Sequence, residues 1–307
     1  MIEYSQEKRN NMLDISLLGT GGMIPLHNRY LTAMLARYNG RLLLIDCGEG
    51  TQVTMRELGW GFVNLNVVLI THFHADHISG LPGLLLSLSN YGRKEPLRIV
   101  GPKGTKDVVN NLCVIVPRLM YTIEVIELEN QAQSIEIEDW QISVLPLLHS
   151  LPCFGYSIHI PRFNKFNVTS AKQQNIPIEF WSKLQRGETV EGFTPDMVLG
   201  EPRKGIKVSY ITDTRPFDDI SSFIKDSDLF ICEGMYGDDN LKEKADRFYH
   251  MLFSDAAKLA KSGNVKELWM THYSQAFVNP EQYIDSIKPI FENSKAGYDR
   301  MTKTIIF

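Results

Sequence analysis

The chain has 307 residues, 43% hydrophobic and 22% charged. These are soluble globular proportions, which exclude a disordered chain and argue against a fibrous one. The formal net charge of -4 and a pI of about 6.1 carry no bulk basic footprint of the kind a nucleic-acid binder usually shows, although a local basic patch stays compatible with them.

No apolar run reaches the ~18–20 residues that span a bilayer. The polar opening from Met1 to Arg9 does not read as a signal peptide. A cytoplasmic protein without a membrane partner is therefore expected, with residues 1–11 as a loose leader and residues 12–307 as one domain.

In chain order, residues 13–18 read as a strand stopped by the glycines between Gly19 and Gly22. Residues 32–38 and 41–46 flank Asn39-Gly40, a type I′ hairpin signal. Residues 50–58 have helical spacing. Residues 67–71 form a short apolar strand, and a helix over 78–90 follows. Further strands are expected at 97–100, 122–127, 142–147, 156–160, 207–211, 229–232 and 267–270, with helices near 104–116, 254–262 and 280–291. Alternation of this kind predicts a layered α/β sandwich with mixed sheets. Residues 161–205 break the pattern, being short of apolar periodicity and rich in polar residues, and read as an inserted arm.

The four cysteines, Cys47, Cys113, Cys153 and Cys232, are far apart and contain no Cys-x-x-Cys pair. This excludes a zinc ribbon and disfavours a disulfide framework, so they are expected to be small buried residues. The histidines are the compositional anomaly: three of eight fall within six residues, in Thr71-His72-Phe73-His74-Ala75-Asp76-His77. His72 and His74 share a period of two and can face one metal. Asp76 and His77 lie past the turn and can serve a second. Imidazole and carboxylate suit zinc, with manganese or iron as alternatives. His149, Asp213 and His272 each follow a predicted strand, and together with the cluster they complete a set for two divalent ions.

These motifs resemble the metallo-β-lactamase superfamily, and within it the short form of ribonuclease Z, the transfer-RNA 3′-processing endonucleases. The likeness rests on Gly19-Thr20-Gly21-Gly22, Asp46-Cys47-Gly48-Glu49-Gly50, the histidine motif with Gly80-Leu81-Pro82-Gly83 after it, His149-Ser150-Leu151-Pro152, Pro202-Arg203-Lys204-Gly205, Asp213-Thr214-Arg215-Pro216 and Thr271-His272-Tyr273-Ser274. They run in the family's order from about residue 12. The resemblance implies a four-layer αβ/βα sandwich with an inserted flexible arm, acting as a homodimer on precursor transfer RNA.

The same resemblance implies roles for individual residues. His72, His74 and His149 would bind the first metal. Asp76, His77 and His272 would bind the second, and Asp213 would bridge. Two metals lower the pKa of a water, and the resulting hydroxide attacks phosphorus in line. Asp76 is the candidate general base. His250 is the candidate acid that protonates the leaving oxygen, and Glu233 is expected to orient it. Asp46 is expected to fix a ligand imidazole from behind. Arg215 would hold phosphate or brace the Asp213 loop.

In the arm, eight basic residues stand against five acidic ones over positions 161–207. Arg162, Lys165, Lys172, Lys183 and Arg186 are the candidates for positioning the phosphate backbone. The chain departs from the family in having Ile176-Pro177 without a Gly-Pro motif, and in Met251-Leu252 after His250. A hydrolase acting on a small phosphodiester with the same metals is the alternative reading. A binding protein with a degenerate site is disfavoured by the complete ligand set.

Overall fold

The computed structural model describes residues 12–307 apart from Pro117 and Phe163, so the leader expected at residues 1–11 lies outside the described residues. The strands and helices are, in order, β1 (Met12–Gly19), β2 (Ala33–Tyr38), β3 (Arg41–Ile45), α1 (Thr51–Leu58), β4 (Leu65–Leu69), α2 (Ala75–Ile78), α3 (Leu81–Asn90), β5 (Leu97–Pro102), α4 (Thr105–Cys113) and β6 (Ile123–Leu128). There follow β7 (Gln133–Ile137), β8 (Trp140–Pro146), β9 (Phe154–Arg162), α5 (Val168–Gln173), α6 (Ile178–Gln185), β10 (Arg203–Ile211), α7 (Asp218–Phe223), β11 (Leu229–Glu233), α8 (Lys242–Phe248), α9 (Phe253–Ser262), β12 (Leu268–Thr271), α10 (Ile284–Ile287), β13 (Ser294–Ala296) and β14 (Thr302–Ile306).

The chain divides into two compact units. The larger, residues 12–159 with Lys207–Ile306 among those described, carries two sheets of seven strands, in the orders β14-β1-β2-β3-β4-β5-β6 and β13-β12-β11-β10-β9-β8-β7. Both are mixed. β1, β2, β3 and β14 pair antiparallel, whereas β3 to β6 run parallel. In the second sheet β7, β8 and β9 pair antiparallel and β10 to β13 run parallel.

The predicted hairpin is present: Asn39 and Gly40 both have positive φ (51° and 78°), and Tyr38 pairs Arg41 across the turn.

Parallel strands inside a sheet are covered on both faces, and β3 and β4 are accordingly buried along nearly all their length. In β3, Leu42 and Leu44 pack with Met55 of α1, Leu81, Leu84 and Leu88 of α3 and Val109 of α4. Leu43 and Ile45 alternate to the other face and are equally buried. On the second sheet, Ile211, Phe230 and Met270 pack with Ile220 of α7 and Phe253, Ala256 and Ala260 of α9. The Tyr156 hydroxyl donates to Ile70 O at 2.7 Å, and Tyr210 meets the Thr32 hydroxyl at 2.9 Å, so residues from the two sheets are bonded directly.

Three expectations need correction. The helix expected over 78–90 is interrupted at Ser79-Gly80. There the Gly80 N–H donates to Cys47 O at 2.9 Å, and a Cβ on Gly80 would lie 2.1 Å from Gly48 O. The close approach of two backbones, not loss of propensity, breaks the helix. The helix expected over 280–291 is only a short 3-10 turn, Pro280–Tyr283, followed by α10. Cys47, Cys153 and Cys232 are buried as expected but Cys113 is half-buried; all four are free.

The second unit, Ile160–Ile206 with Phe307, is not a bare arm. Ala171, Ile176, Leu184 and Val198 form a small buried cluster, flanked by Phe166, Phe180, Trp181 and Phe193. Its helices α5 and α6 have six and eight residues. That is too short for a 3.6-residue period to show in a sequence window.

Candidate metal centre

The parallel strands deliver the candidate residues at their C-terminal ends. Asp46 follows β3, Asp213 lies just past β10, Glu233 ends β11, and His272 follows β12. Asp46, Asp213 and His272 all have positive φ, at 60°, 51° and 55°. Each strand therefore ends in a left-handed kink that turns a side chain out of the sheet, a conformation costly for residues other than glycine. The histidine motif leaves β4 at Leu69, two residues earlier than expected. His74 then stands, with extended φ and ψ, at the N-cap of the one-turn helix α2, which carries Asp76 and His77.

These elements bring all seven predicted ligands together. The side-chain donors of His72, His74, His149 and Asp213 lie within 4.8 Å of one another, as do those of Asp76, His77 and His272. Asp213 faces both groups. Its Oδ2 is 3.5 Å from His72 Nε2 and 3.7 Å from His149 Nε2, while its Oδ1 is 3.4 Å from His77 Nε2 and 3.1 Å from His272 Nε2. His74 Nδ1 and His149 Nε2 are 3.2 Å apart. Asp76 Oδ2 lies 3.3 Å from His272 Nε2 and accepts the Met23 N–H at 2.7 Å.

The donors fit divalent ions on an observation independent of their residue types. His72 is fully buried, yet its Nε2 has no hydrogen-bond partner among the described residues. A buried polar nitrogen without a partner is rare and costly, and a divalent cation held by this group would supply the missing partner.

Asp46 explains why the imidazoles point inward. It is fully buried, and its carboxylate accepts the Thr71 N–H at 2.8 Å, the Thr71 hydroxyl at 2.9 Å and His77 Nδ1 at 2.7 Å. A donating Nδ1 fixes the His77 tautomer and leaves Nε2 free as a ligand. On the opposite side, Gly22 packs against His272: a Cβ there would meet the imidazole Cε1 at 2.8 Å.

Charge follows burial. Burial pushes His72, His74 and His149 below the ordinary imidazole value, against the pull of Asp213. Burial would depress His77 too, but the carboxylates of Asp213 and Asp46 outweigh it and hold it well above that value. Burial would raise Asp213 and Asp76; the imidazoles of His272 and His77 outweigh it and keep both carboxylates ionised.

His250 stands beside this centre, at 5.6 and 5.7 Å between ring centroids from His149 and His272. Its Nδ1 donates to Glu233 Oε2 at 3.0 Å, and Glu233 Oε1 accepts the Thr214 N–H at 2.7 Å. Burial lowers the His250 pKa, but the Glu233 charge outweighs it and raises it to about 9.

Comparison with known proteins agrees with this geometry. Proteins named ribonuclease Z from Clostridium acetobutylicum and Clostridium kluyveri are 50% and 51% identical over 306 and 301 residues, spanning 96% of this chain and 99% of each relative. The chain belongs to the ribonuclease Z family. A family model described as anti-Pycsar protein Apyc1 matches residues 13–186, so the chain belongs to that family as well. Among solved structures, the human tRNase Z short form superimposes with a TM-score of 0.69 at 24% identity, over 96% of this chain and all of that one. The metallo-β-lactamase-fold protein YhfI from Bacillus subtilis gives 0.70 at 18%, with the same coverage. These two likenesses show the metallo-β-lactamase fold. As a ribonuclease Z of this fold, the chain is a hydrolase that uses divalent metal.

In this ribonuclease Z the centre opens into a cavity of about 680 Å³. It is also lined by Tyr236, Lys244, Arg247, Phe248 and Tyr249, residues that the sequence reading missed. They sit on or beside α8, a seven-residue helix in which only Ala245 is buried, so no apolar period announces it. Arg215 does not line this cavity. Its guanidinium donates to Asp246 O at 2.7 Å and lies 4.1 Å from the Tyr249 ring centroid, tying the segment after Asp213 to the end of α8. Arg162, Lys165, Lys172, Lys183 and Arg186 all belong to the second unit, where Arg186 pairs with Glu188 at 2.8 Å. Among the described residues, no helix is long and apolar enough to cross a membrane.

Proposed function

We propose that this ribonuclease Z removes the 3′ trailer from precursor transfer RNA. His72, His74 and His149 would hold one divalent ion and Asp76, His77 and His272 a second, with Asp213 facing both groups of donors. The donor set of imidazoles and carboxylates favours zinc, with manganese or iron as substitutes. When bound, the ions polarise a phosphodiester oxygen and acidify water at neutral pH.

The protein's own groups handle the protons. Asp76, ionised and fixed by the Met23 N–H, accepts a proton from the attacking water. His250 gives one to the oxygen that leaves phosphorus. The P–O3′ bond breaks as the P–O bond to water forms, leaving a 3′-hydroxyl on the transfer RNA and a 5′-phosphate on the trailer. The backbone of the precursor is positioned by Arg162, Lys165, Lys172, Lys183 and Arg186, and by the partner subunit of a homodimer, in the cytoplasm.

The observation that carries this reading is the Glu233–His250 pair beside the ligand cluster. A proton donor held cationic at neutral pH has a task in expelling an alkoxide from a phosphodiester.

The test supplies zinc-loaded protein with a precursor bearing a 3′ trailer and, separately, bis(p-nitrophenyl) phosphate. Cleavage of the precursor at the trailer junction is expected. Turnover of the small ester alone would favour the small-phosphodiester alternative. Deleting residues 162–185 should weaken precursor binding far more than small-ester turnover. His250→Ala should abolish cleavage with metal content unchanged; metal loss would make His250 a ligand, since its donors also lie within 4.8 Å of those of Asp213 and His272.

A further inference from the structure

We infer that the α8 wall of the cavity, through Lys244 and Arg247, holds the unpaired strand on the 5′ side of the scissile phosphate. That strand is the 3′ end of the transfer RNA itself, not the trailer. The inference rests on the proposed processing reaction and adds to it a binding surface outside the arm.

The first observation is which cations are uncommitted. On α8, Lys242 forms an ion pair with Asp246. Lys244 and Arg247 line the cavity and are exposed, and among the described residues no ion pair engages either. Each lies over a ring: Lys244 Nζ is 5.1 Å from the Tyr236 centroid, and Arg247 Cζ 5.5 Å from that of Phe248. Spaced three apart, the two side chains share one face of the helix. The only carboxylates lining the cavity are Asp76 and Asp213, both in the metal centre. The α8 wall is therefore the one positively charged wall that the metal ligands do not account for. Phe248, half-exposed beside Arg247, adds an apolar face on which a base can stack.

The second observation fixes the direction of the strand. Tyr249, in a left-handed conformation (φ 62°), ends α8 and places His250 immediately after it. His250 gives its proton to the leaving oxygen. In the proposed cleavage that oxygen is O3′ of the nucleotide 5′ to the break, while the phosphate stays with the trailer. The wall that carries the proton donor is thus the wall that receives the upstream nucleotide. Contacts from Lys244 and Arg247 then fall on the phosphates preceding the scissile one.

The test compares wild type with the Lys244→Ala/Arg247→Ala double variant on a precursor, across a salt series. KM for the precursor should rise about tenfold. The slope of log affinity against log salt should shallow by about 1.4, the value for two phosphate contacts to a single strand. The KM penalty should persist when the trailer is shortened to one nucleotide. Lys244→Arg/Arg247→Lys should restore the slope, and Lys258→Ala, an exposed charge on α9, should change neither quantity. An unaltered KM and slope in the double variant would overturn the inference, as would a penalty that vanishes with the trailer. An equal loss on bis(p-nitrophenyl) phosphate would overturn it too, by showing that α8 acts only through His250. Failure of the wild type to cut the precursor would instead sink the processing reading.

Discussion

Glu233 joins His250 to the loop of the candidate bridging ligand through the two oxygens of one carboxylate. Oε2 accepts from His250 Nδ1, and Oε1 accepts from the backbone N–H that follows Asp213. Glu233 is fully buried, so its charge acts on the imidazole with little screening.

This pair sets an alkaline limit. With its pKa near 9 rather than 6.5, His250 is protonated at neutral pH, and the acid form is lost as pH rises through that value. Glu233→Gln keeps the shape and removes the charge. The alkaline limb of kcat should then move down toward the ordinary imidazole value, with activity at pH 8 falling about tenfold or more. A pH–rate profile of the metal-loaded variant reads this directly; a limb that stays in place would remove His250 as the acid. By linkage, the raised pKa stabilises the fold fully below pH 6.5 and loses that contribution through about pH 9.

Asp46 should control metal affinity without touching metal. Asp46→Asn cannot accept from Thr71 and His77 as the carboxylate does. Metal affinity is expected to fall about 10–100-fold, measured by competition with a chromogenic chelator. Asp46→Ala should in addition lower unfolding stability, because it leaves the buried Thr71 N–H without its partner.

Gly22→Ala tests the packing behind His272. The new methyl would collide with the imidazole and with Met235 Cε, 3.0 Å away. Overpacking of this kind costs about 1–3 kcal/mol. The expected result is a folded protein with reduced occupancy at the Asp76–His77–His272 group and normal occupancy at the other, read from metal stoichiometry.

Leu184→Ala tests whether the second unit has a core of its own. Leu184 is fully buried there, and the substitution should cost about 2–5 kcal/mol. Hydrogen exchange should accelerate in α5 and α6, while the protection of β3, β4 and β12 and the metal content stay unchanged.

The parts of this molecule that could be read from the sequence are those dictated by apolar runs. Residues 42–45 of β3 and 268–270 of β12 are uninterrupted hydrophobic runs and β10 ends in the buried stretch 208–211, and Asp46, Asp213 and His272 stand out because each arrives just past such a stretch. The strand-end members of the candidate constellation were legible for that reason and the His72–His77 motif from its spacing, which already set His72 and His74 apart from Asp76 and His77, as the donor groups of the structure do. α8 was not legible, because it buries one residue and its charges look like any solvated surface. β7 has a half-exposed pattern over five residues, and β13 has three residues in all. Such segments are held by neighbours distant in sequence, so tertiary pairing determines them more than local preference.

The order in which the ligands occur along the chain has a consequence for biosynthesis. Under the proposed assignment, the first group is complete once the segment after β10 has emerged. The second waits for His272, after which only β13 and β14 follow among the described strands. A chain that ends before His272 therefore keeps the donors of the first group and lacks one of the second. Under that assignment, occupancy by the pair marks growth of the second sheet past β11 to β12, the strand that His272 follows.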